Sequence, residues 1–282
     1  MTAILIYAVI LLGVLGAAIG SFLNVVVYRV PQGLSIVHPP SACPACGHAI
    51  RARDNVPVLS WLVLRGKCRD CRAPISARYP LVESGTAVFF VLVGWWELAG
   101  LIENPVSMIS TATAVSVALS LAAFLYLAAV SIALALIDLD VHRLPNKIVL
   151  PAYVVGAVLL GSAALITGDY DRLIGAGIGL AALWLAYFLM AILYPGGMGF
   201  GDVKLAGVLG LFLGWLGWGP LIVGSFAAFF LGGVFAVGLL VTRRVTRKGG
   251  IPFGPWMLLG AWVGVFAGDT LWTSYLAMFG LA

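Results

Sequence analysis

Charged residues are scarce in this chain. Asp, Glu, Lys and Arg make up 10% of it against 62% for hydrophobic residues, where a soluble domain carries about 25% charge. An ordinary soluble globular protein is thereby excluded. The first apolar run, Met1 to Val27, has no basic segment in front of it and no small-residue cleavage site, so it is expected to be a retained span and not a signal peptide. No glycine-rich nucleotide fingerprint sits inside a strand-turn-helix unit, and neither a clear internal repeat nor a low-complexity tract is visible.

What is abundant is apolar sequence in runs of about 20 residues, the length that crosses a bilayer as a helix and twice what a barrel strand needs. The runs fall at about 3–28, 81–101, 112–137, 148–167, 173–194, 203–218, 221–241 and 253–279. The expectation is an all-α polytopic membrane protein of about eight transmembrane helices. Residues 1–28 form the first, 29–80 a water-facing insert between helices 1 and 2, and 81–282 a seven-helix membrane domain. The insert holds half of all Lys and Arg, all four cysteines and two of the three histidines. With eight spans, fifteen of the sixteen Lys and Arg residues share one side, and only Arg172 lies opposite. By the positive-inside bias that side is cytoplasmic. The same asymmetry accounts for the net charge of +5. The basic insert and the run from Arg243 to Lys248 are read as topology signals attracted to anionic membrane lipids, with no nucleic acid as partner.

Cys43-Pro44-Ala45-Cys46 and Cys68-Arg69-Asp70-Cys71 are C-x-x-C pairs 21 residues apart, close to the spacing of a structural zinc site. Four thiolates fill a tetrahedral zinc and leave no position open for chemistry. A cytosolic location keeps the thiols reduced and argues against disulfides. A redox role and unligated cysteines remain the alternatives. With four cysteines in hand, His38 and His48 are loop residues.

A carboxylate at the edge of a span is costly unless it is solvated, paired or used. Asp138 ends one apolar run, and Asp202 follows the glycine-rich stretch Pro195-Gly196-Gly197-Met198-Gly199-Phe200-Gly201. Two complete spans separate them, so both return to one face at one depth. Carboxylates held a few ångströms apart cannot both ionise easily and titrate as a pair. Such a pair performs aspartic proteolysis: the ionised member takes a proton from water, and the protonated member donates to the substrate. Inert, solvated helix-end carboxylates are the alternative reading of these residues.

Several motifs in one order resemble the type IV prepilin peptidases, of the GxGD intramembrane aspartyl protease group. They are Gly20-Ser21-Phe22-Leu23-Asn24, the two cysteine pairs, Asp54-Asn55-Val56-Pro57, Gly66-Lys67, Arg78-Tyr79-Pro80 with Glu83, Asp138 to Pro145, the Gly-rich Asp202 motif, and Ile251-Pro252-Phe253-Gly254-Pro255. The family's first motif puts the catalytic aspartate seven residues before a proline, which selects Asp138 over Asp140. Its second, Gly-x-Gly-Asp-x-Lys, selects Asp202. One departure is Asn146, where many members carry Asp. The resemblance implies a bacterial inner-membrane enzyme that cuts the leaders of prepilins and pseudopilins at the cytoplasmic face. It further implies methylation of the new N-terminus from S-adenosylmethionine, with Gly66 and Lys67 the matching residues. The competing class is a non-enzymatic scaffold or transporter with a zinc-bound docking domain, but a transporter should carry ionisable groups at mid-bilayer, and the runs are nearly free of them.

Overall fold

The structure, a computed structural model, describes residues 2–102, 110–194, 198–242 and 252–281. Pro195, Gly196 and Gly197 of the glycine-rich stretch, the run from Arg243 to Lys248, and Ile251 lie outside the described residues. A backbone in lipid must bond its own N–H and C=O groups, and an α-helix does so within one segment. The apolar runs are accordingly helical: α1 (Thr2–Arg29), α3 (Arg78–Ile102), α4 (Thr111–Val141), α5 (Asn146–Thr167), α6 (Tyr170–Leu193), α7 (Phe200–Leu216), α8 (Trp218–Val241) and α9 (Gly254–Met278). The insert contributes only the short α2 (Leu59–Val63) and one 3₁₀ turn, Ala52–Asp54.

Among the described residues, six helices, α1, α3, α4, α5, α6 and α8, are long and apolar enough to cross a membrane. The other two expected spans exist as α7 and α9. At 17 residues α7 is short for a span, and it is buried almost continuously from Val203 to Trp215, so its surroundings are protein. The third span was expected to end at residue 137. Instead α4 runs on through Asp138 to Val141, where His142, at φ 52°, closes it by donating its N–H to the Asp138 carbonyl at 2.9 Å.

The chain forms two compact units, Met1–Ile109 with Phe124–Ala133, and Ser110–Ala123 with Leu134–Ala282. Small residues build both. In the first, α1 packs on α3 through Gly16 and Gly20. A Cβ on Gly16 would sit 2.8 Å from the Ala87 Cα, and one on Gly20 would sit 2.7 Å from the Glu83 Cα. In the second, α6 lies on α7 and α8 on α9. Gly175 and Gly179 of α6 meet Gly210 and Gly214 of α7 backbone to backbone, while Gly224 and Ala228 of α8 meet Gly260 and Gly264 of α9. Lipid tails are as apolar as leucine, so helices in a bilayer gain by close packing and not by leaving the solvent; four-residue spacing of small residues supplies that approach.

Gly210 and Gly177 separate this packing from mere helix propensity. A Cβ on Gly210 would run into the Gly179 carbonyl, whereas Gly177 has nothing within 4 Å. Gly210→Val should therefore lose about 1–3 kcal/mol or more of stability in detergent. Gly177→Val should stay within about 0.5 kcal/mol of the parent, and thermal unfolding of the two variants checks the contrast.

Candidate active site and metal centre

The insert closes on the same loop used twice. In the first copy Cys43 donates its N–H to His48 O at 2.9 Å, Gly47 to Cys43 O at 2.8 Å, and Ile50 to Ser41 O at 2.8 Å. In the second Cys68 donates to Ala73 O at 2.8 Å, Arg72 to Cys68 O at 3.1 Å, and Ile75 to Gly66 O at 2.7 Å. Gly47 and Arg72 occupy the same left-handed position, at φ 72° and 62°. An antiparallel bridge closes each copy, Ala42 with Ala49 and Lys67 with Pro74. This ten-residue repeat is absent from the sequence reading because little beyond the cysteines and a final isoleucine is shared.

All four sulfurs lie within 4.8 Å of one another, with Cys43 Sγ 3.7 Å from Cys71 Sγ. A zinc with four bonds of about 2.3 Å needs sulfur pairs about 3.8 Å apart. The residues fit the metal. Backbone N–H groups of Cys46 and Ala45 aimed at the Cys43 sulfur pull that thiol down to about 6. At Cys46 the His48 N–H also pulls down, but lost solvation and the neighbouring sulfurs of Cys71 and Cys43 outweigh it and push the thiol up to about 12. A cation among four sulfurs this close would let them carry negative charge together, and zinc would supply it. The 51–54 segment is tied to the second loop by charge: Arg51 meets Asp70 at 3.0 Å, and Arg69 grips both oxygens of Asp54. That guanidinium holds the Asp54 carboxyl below its usual range.

Gly66 and Lys67 open the second loop. Gly66 is buried at φ 66°, and a Cβ there would come 2.9 Å from the Trp61 ring. Trp61 in turn donates its indole N–H to Ile75 O at 3.1 Å. Glycine at 66 is thus required by the turn and by the ring above it, and Lys67 is left exposed.

The two aspartates come together in the second unit. Asp138, 5% exposed on α4, accepts the Gly254 N–H on Oδ2 at 3.1 Å. That N–H belongs to the first residue of α9, one of the orphan donors at any helix start, so Pro252-Phe253-Gly254-Pro255 is a helix start aimed at a carboxylate. Asp202 lies in the first turn of α7 and reaches back to accept the Gly199 N–H on Oδ2 at 3.1 Å. Leu144 lies against Gly201, the chain neighbour of Asp202, and against Gly254, the donor to Asp138. A Cβ on Gly201 would stand 3.1 Å from Leu144 Cβ, and one on Gly254 would stand 3.2 Å from Leu144 Cδ2 and 2.7 Å from Asp138 Oδ2. The carboxylates are near enough for their charges to interact. Asp140, two residues on, is exposed on α4.

Three aromatic rings stand by this pair. Tyr187, within electrostatic reach of Asp202, packs against Phe229 at 5.6 Å and Phe253 at 6.4 Å. Tyr187 is 3% exposed and passed unnoticed in the sequence, where it is one aromatic in an apolar run. Lys204, two residues past Asp202, could stabilise that carboxylate or snorkel to the headgroups. Its ammonium instead donates to Asn146 Oδ1 at 3.0 Å and lies 5.0 Å from the Phe200 ring centre, while its carbonyl accepts the Tyr153 hydroxyl. Glu83 accepts the Val58 N–H at 2.7 Å.

One zinc per chain should therefore copurify. Cys46→Ser or Cys71→Ser should abolish it, and a chelator should make the insert protease-sensitive while leaving the helical circular dichroism of the membrane spans nearly unchanged.

Residues 14–97 match the family model described as the Bacterial Peptidase A24 N-terminal domain, and residues 124–237 match that of the Type IV leader peptidase family. The chain is 35% identical over 292 residues to the prepilin leader peptidase/N-methyltransferase of Aeromonas hydrophila, covering 93% of this chain and 91% of that one. It is 34% identical over 297 residues to the protein of the same name from Pseudomonas putida, covering 97% and 96%, and 34% identical over 297 residues to that from Neisseria gonorrhoeae, covering 94% and 93%. No solved structure matches. Similarity of this extent along nearly the whole of both chains places this protein in the type IV leader peptidase family, among the prepilin leader peptidase/N-methyltransferases.

Proposed function

We propose that this protein cleaves the leader from type IV prepilins and related pseudopilins at the cytoplasmic face of the inner membrane, using Asp138 and Asp202 as a catalytic pair, and then methylates the new N-terminus. The observation that carries the peptidase reading is the pair of carboxylates, each with one backbone N–H on its Oδ2, and with Leu144 packed against both Gly201 and Gly254 beside them. The ionised member removes a proton from a water, whose oxygen bonds to the scissile carbonyl carbon. The protonated member gives its proton to the carbonyl oxygen. Collapse of the tetrahedral intermediate then breaks the C–N bond as the leaving amine takes a proton, and the pair is restored sharing one proton. Two carboxylates held close together cannot both ionise easily, so such a pair shares one proton.

The methylation reading is supported by the names of the relatives and by the insert that the family model shares. S-adenosylmethionine, when bound, supplies an electrophilic methyl group to the free amine. On this chain Gly66 shapes the turn, and Lys67 is the exposed residue that the turn presents. The zinc loops hold that turn in place and stay out of the chemistry, since four sulfurs leave no open coordination position. Fifteen of sixteen basic residues on one side support the cytoplasmic assignment.

Asp138→Asn and Asp202→Asn should each lower cleavage of a membrane-embedded prepilin by at least about 10³-fold, because neither half of a two-carboxylate site acts alone. Asp140→Asn should keep it. A gel assay of leader removal by purified variants with intact zinc content reads all three, and cleavage at the parent rate by either dyad variant would sink the mechanism. Lys67→Ala should cut transfer of labelled methyl from S-adenosylmethionine at least about ten-fold, the weight of one charged contact, and leave leader removal unchanged. Equal loss of both activities, or of neither, would remove Lys67 from the methyl-transfer site.

A further inference from the structure

The insert carries an apolar face that the peptidase reading does not use. Helix α2, Leu59–Val63, turns Ser60 and Trp61 inward: Ser60 donates its hydroxyl to Arg53 O at 3.0 Å and accepts the Val56 N–H at 2.9 Å, and the Trp61 indole N–H is bound by Ile75 O. Leu59, Leu62 and Val63, at i, i+3 and i+4 on the other face, are 61%, 57% and 76% exposed. Large apolar side chains grouped on one face of a water-facing segment mark a contact surface.

The depth of this face follows from Glu83. Its carboxylate takes the N–H of Val58, the residue that opens α2, at 2.7 Å. Glu83 lies on α3 five residues beyond Arg78, inside the candidate span Arg78–Ala99, hence about 7.5 Å along the helix from its start. Glu83 is 8% exposed, and α1 presses on its backbone at Gly20, so this anchor does not swing. α2 is therefore pinned to the outermost turns of a membrane helix, at the level where hydrocarbon meets headgroups. Around it Arg53 and Arg65 are exposed. Apolar side chains at the acyl boundary with cations at the rim describe a segment that lies in the interface of an anionic leaflet.

We propose that Leu59, Leu62 and Val63 form an interfacial foot, which seats the zinc-bound insert on the anionic lipid leaflet beside α3. The foot works with the Glu83 anchor to fix the insert's height above the membrane. This reading stands apart from the catalytic one, because it concerns what covers α2 and not what reacts.

The test is photo-crosslinking of the full chain in vesicles of phosphatidylethanolamine and phosphatidylglycerol. Leu62 and Val63 are replaced one at a time by benzoylphenylalanine, and Ala45, exposed between the cysteines of the first loop, serves as the control position. Illumination is carried out with and without a prepilin, after zinc content has shown the insert folded. Positions 62 and 63 should give a lipid-mass adduct roughly ten-fold above position 45, unchanged by the prepilin. Adducts of the mass of the prepilin or of a second copy, or lipid adducts no greater than at position 45, would overturn the foot. Two independent positions keep the test standing if one variant fails to fold, and since cleavage is not the readout, a failure here leaves the dyad untouched.

Discussion

Backbone contact between α6 and α7 is the constraint on which the second unit rests. Gly175 and Gly179 let the peptide groups of one helix touch those of the other at Gly210 and Gly214, a distance no side chain permits. With α6 that near, and α5, α8 and α9 also against it, α7 becomes a buried rod of 17 residues and carries Asp202 at its first turn to a fixed place. α8 and α9 repeat the device at Gly224, Gly260 and Gly264, which aims the α9 N-terminus at Asp138. The proposed catalytic pair would have to be held within fractions of an ångström, and helices packed on backbone have no rotamers to relax.

Glycine has a second use at the site. Gly201 and Gly254 are the two positions where a side chain would meet Leu144, and at Gly254 it would also meet Asp138 itself. Leu144 thus fills the space that the absent side chains leave. Each carboxylate keeps one backbone N–H partner.

Composition and run length made the helices legible in the sequence, because lipid allows an apolar run few alternatives. The cysteines were legible as a metal set through their spacing, and the structure brings their sulfurs together. Asp138 and Asp202 stood out because charge is rare where they lie. What escaped was set by tertiary packing. The role of Gly254 as a donor to Asp138 spans 116 residues of chain, and Tyr187 looks like any other aromatic in a span. Lys204 lies two residues from Asp202 in sequence, but on a helix that spacing points a side chain elsewhere, and its amine went to Asn146. The extent of α4 was underread for a related reason, since a charged residue looks like the end of a span while the helix that bears it continues.

The doubled cysteine loop has a consequence for the order of synthesis. Neither copy alone offers more than two sulfurs, and the last of the four, Cys71, is made only a few residues before α3 begins. While the chain is still emerging, the first pair has no complete set of ligands. A metal held by all four sulfurs would be captured only once Cys71 is made, and the Val58 bond to Glu83 needs α3 as well as the insert. With the zinc proposed for it, the insert would close late against α3, and a shortage of zinc would leave α1 and α3 packed together with the insert open.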